Sequence, residues 1–237
     1  MCAVIGAVIK SPTKDDLEML RRVFHESKIR GLHATGISFL PSWSDKIVTI
    51  KEGIPADEFV ERHLHDDNLS ELINKDGNLY LIGHCRYSTS DLEYNQPLAN
   101  ENKSIAHNGV ITQESPEKWK DLYSYDCITK NDSELVLHSN DPLREFSHMS
   151  MGVCELSTDK YVRFYRNGKR PIYFTLIDNG CIITSTKDIA RRAGLDMPAE
   201  VPMNTYMTVD GYLSITMERV EIANADLQKV EYETIRI

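Results

Sequence analysis

Leu79-Tyr80-Leu81-Ile82-Gly83-His84-Cys85-Arg86-Tyr87-Ser88-Thr89 is the stretch from which the fold can be worked out. Residues 79–84 read as a strong strand, and the polar residues after them as the loop into which it runs. An arginine at a strand end is well placed to grip a carboxylate with both arms of its guanidinium. Arg86 has that position, and Thr89 adds a hydroxyl donor. A surface arginine on an ordinary polar loop is the competing reading.

Strands and helices follow on either side. Residues 3–9 form an apolar run and read as a buried strand. Ser11-Pro12-Thr13 then opens a helix, with Asp15 and Asp16 in its first turn and Leu17, Leu20, Val23 and Phe24 on one face. Strands are expected at 36–40 and 46–51, and helical patterns lie within 55–74. The second half holds strand-like runs at 150–156, 161–166, 171–178, 181–185 and 205–217, with helices near 115–123, 133–139 and 187–193. Asn-Gly and Asp-Gly pairs supply the turns. Antiparallel strands in runs, with helices grouped between them, predict an α+β layered domain and not a doubly wound parallel sheet.

Composition narrows the function. The chain has 237 residues, 41% of them hydrophobic and 27% charged, and carries 36 acids against 27 Lys and Arg for a net charge of −9. With no basic block, neither nucleic acid nor an anionic membrane is the expected partner. No apolar run reaches the ~18–20 residues of a bilayer span, and the apolar start has no basic region before it, so no secretory signal is expected. There is no linker or repeat, so one domain over 1–237 is the simplest organisation. The cysteines are Cys2, Cys85, Cys127, Cys154 and Cys181, an odd and widely spaced set without C-x-x-C. That pattern predicts a reducing cytoplasm, with no disulfide framework and no metal site.

Four groups of residues can carry chemistry. Removal of Met1 would leave Cys2 with its thiol and a free α-amine on one Cα. Such an amine, with a pKa of about 7.7–8.0, can take the thiol proton without help from a histidine. The alternative is a retained Met1 and a cysteine that merely starts a strand. Arg86, with Thr89, is the carboxylate clamp. Asn108 and Gly109, after His107, form either a hairpin turn or an oxyanion hole made of a side-chain amide and a backbone N–H. Asp132, in Asp132-Ser133-Glu134, is either a helix cap or a carboxylate for a substrate ammonium group.

Taken in order, Cys2, R-G-x-x-x-x-G at 30–36, G-H-x-R-Y-S-T at 83–89, N-Q-P at 95–97, H-N-G at 107–109 and D-S-E at 132–134 resemble the class II glutamine amidotransferase domain. Residues 166–173 and 185–188 resemble later segments of that family. The resemblance covers about residues 2–215. It implies a four-layer αββα N-terminal-nucleophile (Ntn) hydrolase sandwich, two antiparallel sheets flanked by helices, as a single type-2 domain. It assigns Cys2 as nucleophile, Asn108 and Gly109 as the oxyanion pair, and Arg86, Thr89 and Asp132 as the substrate clamp. Arg30, Tyr87 and His107 are supporting residues. Glutamine is the implied substrate, hydrolysed to glutamate and ammonia through a γ-glutamyl thioester, with no cofactor and no metal.

Two positions depart from the family pattern. His33 stands where an Asp is usual, and Ser90-Asp91 where x-G is usual, in a loop that closes over glutamine in that family. The length matches one glutaminase domain, so the ammonia acceptor is expected to be a separate synthase subunit. A homo-oligomer is compatible with the sequence. Two rival readings are a stand-alone hydrolase of another γ-glutamyl amide and a non-catalytic module that binds glutamine or a protein.

Overall fold

The structure, a computed structural model, describes residues 2–87 and 95–222 and the backbone of 232–235. The chain lays down two sheets in alternation. The first sheet begins with β1 (Ala3–Lys10), β2 (Ala34–Phe39), β3 (Val48–Glu52) and β4 (Asn78–Arg86). The second begins with β5 (Leu98–Ala99), β6 (Lys103–Val110), β7 (Ser150–Ser157) and β8 (Tyr161–Arg166). β9 (Tyr173–Ile177), β10 (Gly180–Thr184) and β11 (Ala199–Glu200) return to the first, and β12 (Thr205–Asp210), β13 (Ile215–Arg219) and β14 (Tyr232–Ile235) complete the second. The strand orders are β11-β9-β10-β1-β4-β2-β3 and β14-β13-β12-β8-β7-β6-β5, and every named pairing is antiparallel.

β1 explains its own apolar sequence. It lies between β4 and β10 and is buried on both faces. Ala3, Ile5, Ala7 and Ile9 face the helix layer of α1 (Lys14–Ser27), α2 (Ala56–His63) and α7 (Lys187–Arg192). Val4 and Val8 face the other sheet, among Tyr80, Ile82, Ala106, Cys154, Phe164 and Ile183. Two buried faces leave no polar face to alternate with, so the run reads as unbroken hydrophobicity.

The second sheet carries its own outer layer. Ile105, Met151, Val153, Tyr165 and Tyr206 pack against Trp119, Leu135, Leu143 and Phe146. These come from α4 (Trp119–Tyr123), α5 (Ser133–His138), α6 (Pro142–Glu145) and the residue after it. Helix, sheet, sheet, helix is the four-layer α+β sandwich expected from the sequence. α1 starts where the capping residues predicted: the Thr13 hydroxyl accepts from the Asp16 N–H, and the Asp16 carboxylate accepts from the Thr13 N–H.

Asn108 and Gly109 lie inside β6, paired with Gly152 and Met151, and are no hairpin turn. Among the described residues, no helix is long and apolar enough to cross a membrane.

Candidate active site

The site forms where β1, β4 and β6 end together. Val4 pairs with His84, so the alternation that points Val4 and Ile82 between the sheets does the same for His84 and Arg86. Cys2 opens the same strand edge. Cys2, Arg86, His107, Gly109 and Asp132 line one cavity of about 700 Å³, together with His84, Gln96, Thr112, Trp119, Lys130, Asn131 and Ser133.

Cys2 is held by its backbone neighbours. The Arg30 Nε donates to the Cys2 carbonyl at 2.9 Å. Two residues on, the Val4 N–H donates to the buried Ser185 hydroxyl at 2.7 Å. Both contacts fix the entry to β1, and with it the thiol. The Arg30 guanidinium is held below its usual basicity by burial and by the like charge of Arg170, against an opposing pull from Cys2. The glycine after Arg30 is required sterically: a Cβ on Gly31 would lie 2.3 Å from the Cys85 carbonyl oxygen. Gly36, the second glycine of that motif, would meet the Gln96 carbonyl oxygen at 2.5 Å. The R-G-x-x-x-x-G spacing thus packs two backbones against the site's framework.

Arg86 is half-buried, and its Nη1 donates to the Asn95 side-chain oxygen at 3.0 Å. The neighbouring Gln96 carries the network onward. Its Oε1 accepts from the His107 N–H at 2.6 Å, and its Nε2 donates to the Ser133 hydroxyl at 2.9 Å. His107 Nδ1 lies 2.8 Å from the same hydroxyl. The N-Q-P segment, joined by a cis Gln96–Pro97 bond, therefore ties the arginine to β6 and α5.

Of the two oxyanion candidates, Gly109 lines the cavity, whereas Asn108 is buried beside it and is not among the lining residues. Asn108 is 3% exposed, and its Nδ2 has no hydrogen-bond partner among the described residues. A buried donor left unpaired is unusual in a folded protein. Strand alternation aims the Asn108 side chain to the inter-sheet side, as for Ala106. The same alternation gives Gly109 and His107 N–H groups that point to one edge of β6. β5 pairs only with Ile105 and Ser104, so among the described residues no strand covers this edge beyond Gln96. Gly109 tolerates no side chain: its Cβ would sit 1.7 Å from the Ser150 carbonyl oxygen.

Asp132 precedes α5 without capping it. Its Oδ2 instead accepts from the Ile111 and Thr112 N–H groups at 2.6 and 3.2 Å. The contact pins the carboxylate beside the end of β6. Two buried imidazoles complete the wall. Burial, with the nearby His107 and Arg86 charges, lowers the His84 pKa to about 3. Neither of its ring nitrogens makes a well-formed hydrogen bond among the described residues. Burial likewise lowers His107. Both rings are therefore neutral at pH 7.

The remaining expectations fall outside the cavity. Tyr87 is 51% exposed, and its ring packs on His33 at 4.8 Å. His33, the first departure from the family pattern, also donates its N–H to the Arg86 carbonyl at 2.9 Å. Thr89, Ser90 and Asp91 lie outside the described residues. Sequence reasoning gave no role to Gln96, Ser133, Ser185 or Arg170. All four lie in segments that carry the resemblance, but the contacts that give Gln96, Ser133 and Ser185 their parts are with partners distant in sequence.

No family model matches the chain, and no curated protein matches it in sequence. Solved structures do. Glutamine phosphoribosylpyrophosphate amidotransferase from B. subtilis, complexed with ADP and GMP, aligns with a TM-score of 0.70 at 18% identity, over 92% of this chain and 49% of that one. A structure of the allosteric regulatory enzyme of purine biosynthesis gives 0.72 at 19%, over 93% and 50%. The chain spans about half the length of both structures. The likeness is one of fold: the chain shares the Ntn-hydrolase αββα sandwich with both structures.

Proposed function

We propose that the protein is a glutaminase of the class II amidotransferase type, with Cys2 as its nucleophile. The observation that carries this reading is one cavity lined together by Cys2, Arg86, Gly109 and Asp132, with the buried Asn108 next to Gly109 in β6 and its Nδ2 without a partner among the described residues. A binding module has no need of an oxyanion hole next to a thiol.

The chemistry runs as follows in this reading. Arg86 takes the α-carboxylate of glutamine and Asp132 its α-ammonium, which brings the distal carboxamide to Cys2. With Met1 removed, the α-amine of Cys2 takes the thiol proton, directly or through a water. The thiolate attacks the carboxamide carbon, and the oxygen becomes an anion that accepts from Asn108 Nδ2 and the Gly109 N–H. One such donor is worth about 2.7–4 kcal/mol in the transition state. As the C–N bond breaks, the ammonium on Cys2 returns its proton to the departing nitrogen, and ammonia leaves. Water, deprotonated by the same amine, then cleaves the thioester to glutamate and restores the thiol. Arg30 is a positioning residue in this scheme, as it holds the Cys2 carbonyl.

The test is ammonia release from glutamine by protein whose intact mass shows loss of Met1, beside Cys2→Ala prepared in the same way. Release should fall to background in the variant. An unchanged rate overturns the proposal. Turnover of γ-glutamyl peptides but not of glutamine transfers the same machinery to another amide.

A further inference from the structure

Away from the cavity, three side chains with metal-binding donors converge. The Cys127 sulfur, a Glu134 carboxylate oxygen and a His138 ring nitrogen all lie within 4.8 Å of one another. Glu134 and His138 are four residues apart on α5, so they share one helix face. Cys127 comes from the loop before the helix.

Two of the three donors are held in place by their surroundings. Glu134 is buried, and its Oε2 accepts from the Thr129 N–H and hydroxyl at 2.6 and 2.5 Å. Its Oε1 accepts from the Ile128 N–H at 2.8 Å and lies 3.4 Å from His138 Nε2. The His138 ring is stacked on Tyr125 at 5.8 Å, and the Tyr125 hydroxyl donates to Glu145 at 2.9 Å. Outer contacts of this kind orient ligands before an ion arrives. Cys127 and His138 are half-buried, which gives an ion a path from solvent.

We propose that Cys127, Glu134 and His138 bind one borderline-soft divalent cation of the zinc class, with water as the fourth ligand. A thiol, an imidazole and a carboxylate at this separation suit Zn²⁺, whereas Mg²⁺ and Ca²⁺ call for oxygen alone. Burial and the Glu134 and Asp126 carboxylates push the Cys127 thiol up to about 11, so without metal the group is protonated. Coordination forms the sulfur–metal bond, sends that proton to solvent and displaces water from the ion. The occupied site would clamp residues 127–134, the segment that presents Lys130, Asn131 and Asp132 to the cavity.

The experiment titrates the full chain, stripped with chelator, with Co²⁺ and then Zn²⁺. One equivalent of Co²⁺ should bind with thiolate-to-cobalt charge-transfer absorption in the near ultraviolet, and Zn²⁺ should abolish that absorption by displacement. Cys127→Ser should remove the band, and His138→Ala should weaken binding by at least about tenfold. Cys2→Ala should leave band and affinity as they are. The proposal fails if no stoichiometric binding occurs, if the band survives Cys127→Ser or disappears with Cys2→Ala, or if His138→Ala binds like wild type. None of these readings depends on glutamine turnover.

Discussion

Arg86 lines the cavity and Asn108 is buried next to one of its lining residues, Gly109, yet removing each should alter a different kinetic constant. The Asn108 Nδ2 is buried without a partner among the described residues, so in the proposed reaction its interaction waits for the oxyanion of the transition state. Asn108→Ala should lower kcat by about 10²–10³-fold and leave KM nearly unchanged. Arg86 would bind a carboxylate present throughout the reaction. Arg86→Lys keeps the charge but loses the planar fork, and should raise KM far more than it lowers kcat. Steady-state ammonia release over a range of glutamine concentrations separates the two. Equal effects on kcat in both variants would contradict this division of roles.

At the scale of the element, β6 is the strand on which the site depends. It is pressed so closely on β7 that Gly109 has no room for a methyl group. Gly109→Ala should cost more than about 2 kcal/mol, because strand or carbonyl must shift. Gly77, at φ +78° in an open turn, meets nothing within 4 Å, so Gly77→Ala should cost only about 1–2 kcal/mol of backbone strain. Urea unfolding of the two variants makes the comparison. β6 is also where the sequence was hardest to read. Strands β1 and β4 stand out because burial on both faces gives each a long apolar run, 3–9 and 79–82, and α1 stands out through Thr13 and Asp16. β6 instead carries Ser104, His107 and Asn108 at buried positions, each polar for the sake of a contact or a donor. Its Asn-Gly pair has the residues of a turn and the conformation of a strand. That Cys2, Arg86, Gly109 and Asp132 belong together was legible in the order of their motifs along the chain, and the structure brings these four to one cavity. The Gln96–Ser133–His107 link was not, since it joins three elements whose proximity only the fold creates.

For the molecule as a whole, the two buried imidazoles tie stability to pH. Their folded-state pKa values lie below the unfolded value near 6.5, His84 at about 3 and His107 lowered without a stated value. The unfolded chain therefore binds more protons below pH 6.5. The stability these rings contribute is full above that pH and declines as the pH falls beneath it. Each ring adds up to about 1.4 kcal/mol per pH unit to the slope. Urea midpoints at pH 7, 6 and 5 should fall in that order, and His84→Gln should make the decline shallower. A midpoint that does not change over this range would show that the rings are not held neutral.

The alternating path of the chain has a consequence for its synthesis. β1 pairs with β10, so one side of an apolar strand made at the start waits for residues 180–184. At about 5–20 residues per second, that wait lasts on the order of ten seconds or longer on the ribosome. Throughout it, the nascent chain presents an uncovered hydrophobic edge. Chains terminated before residue 180 should therefore be captured by holding chaperones or lost to aggregation, and a slow stretch of codons between β8 and β10 should reduce the yield of folded protein more than one placed after β12.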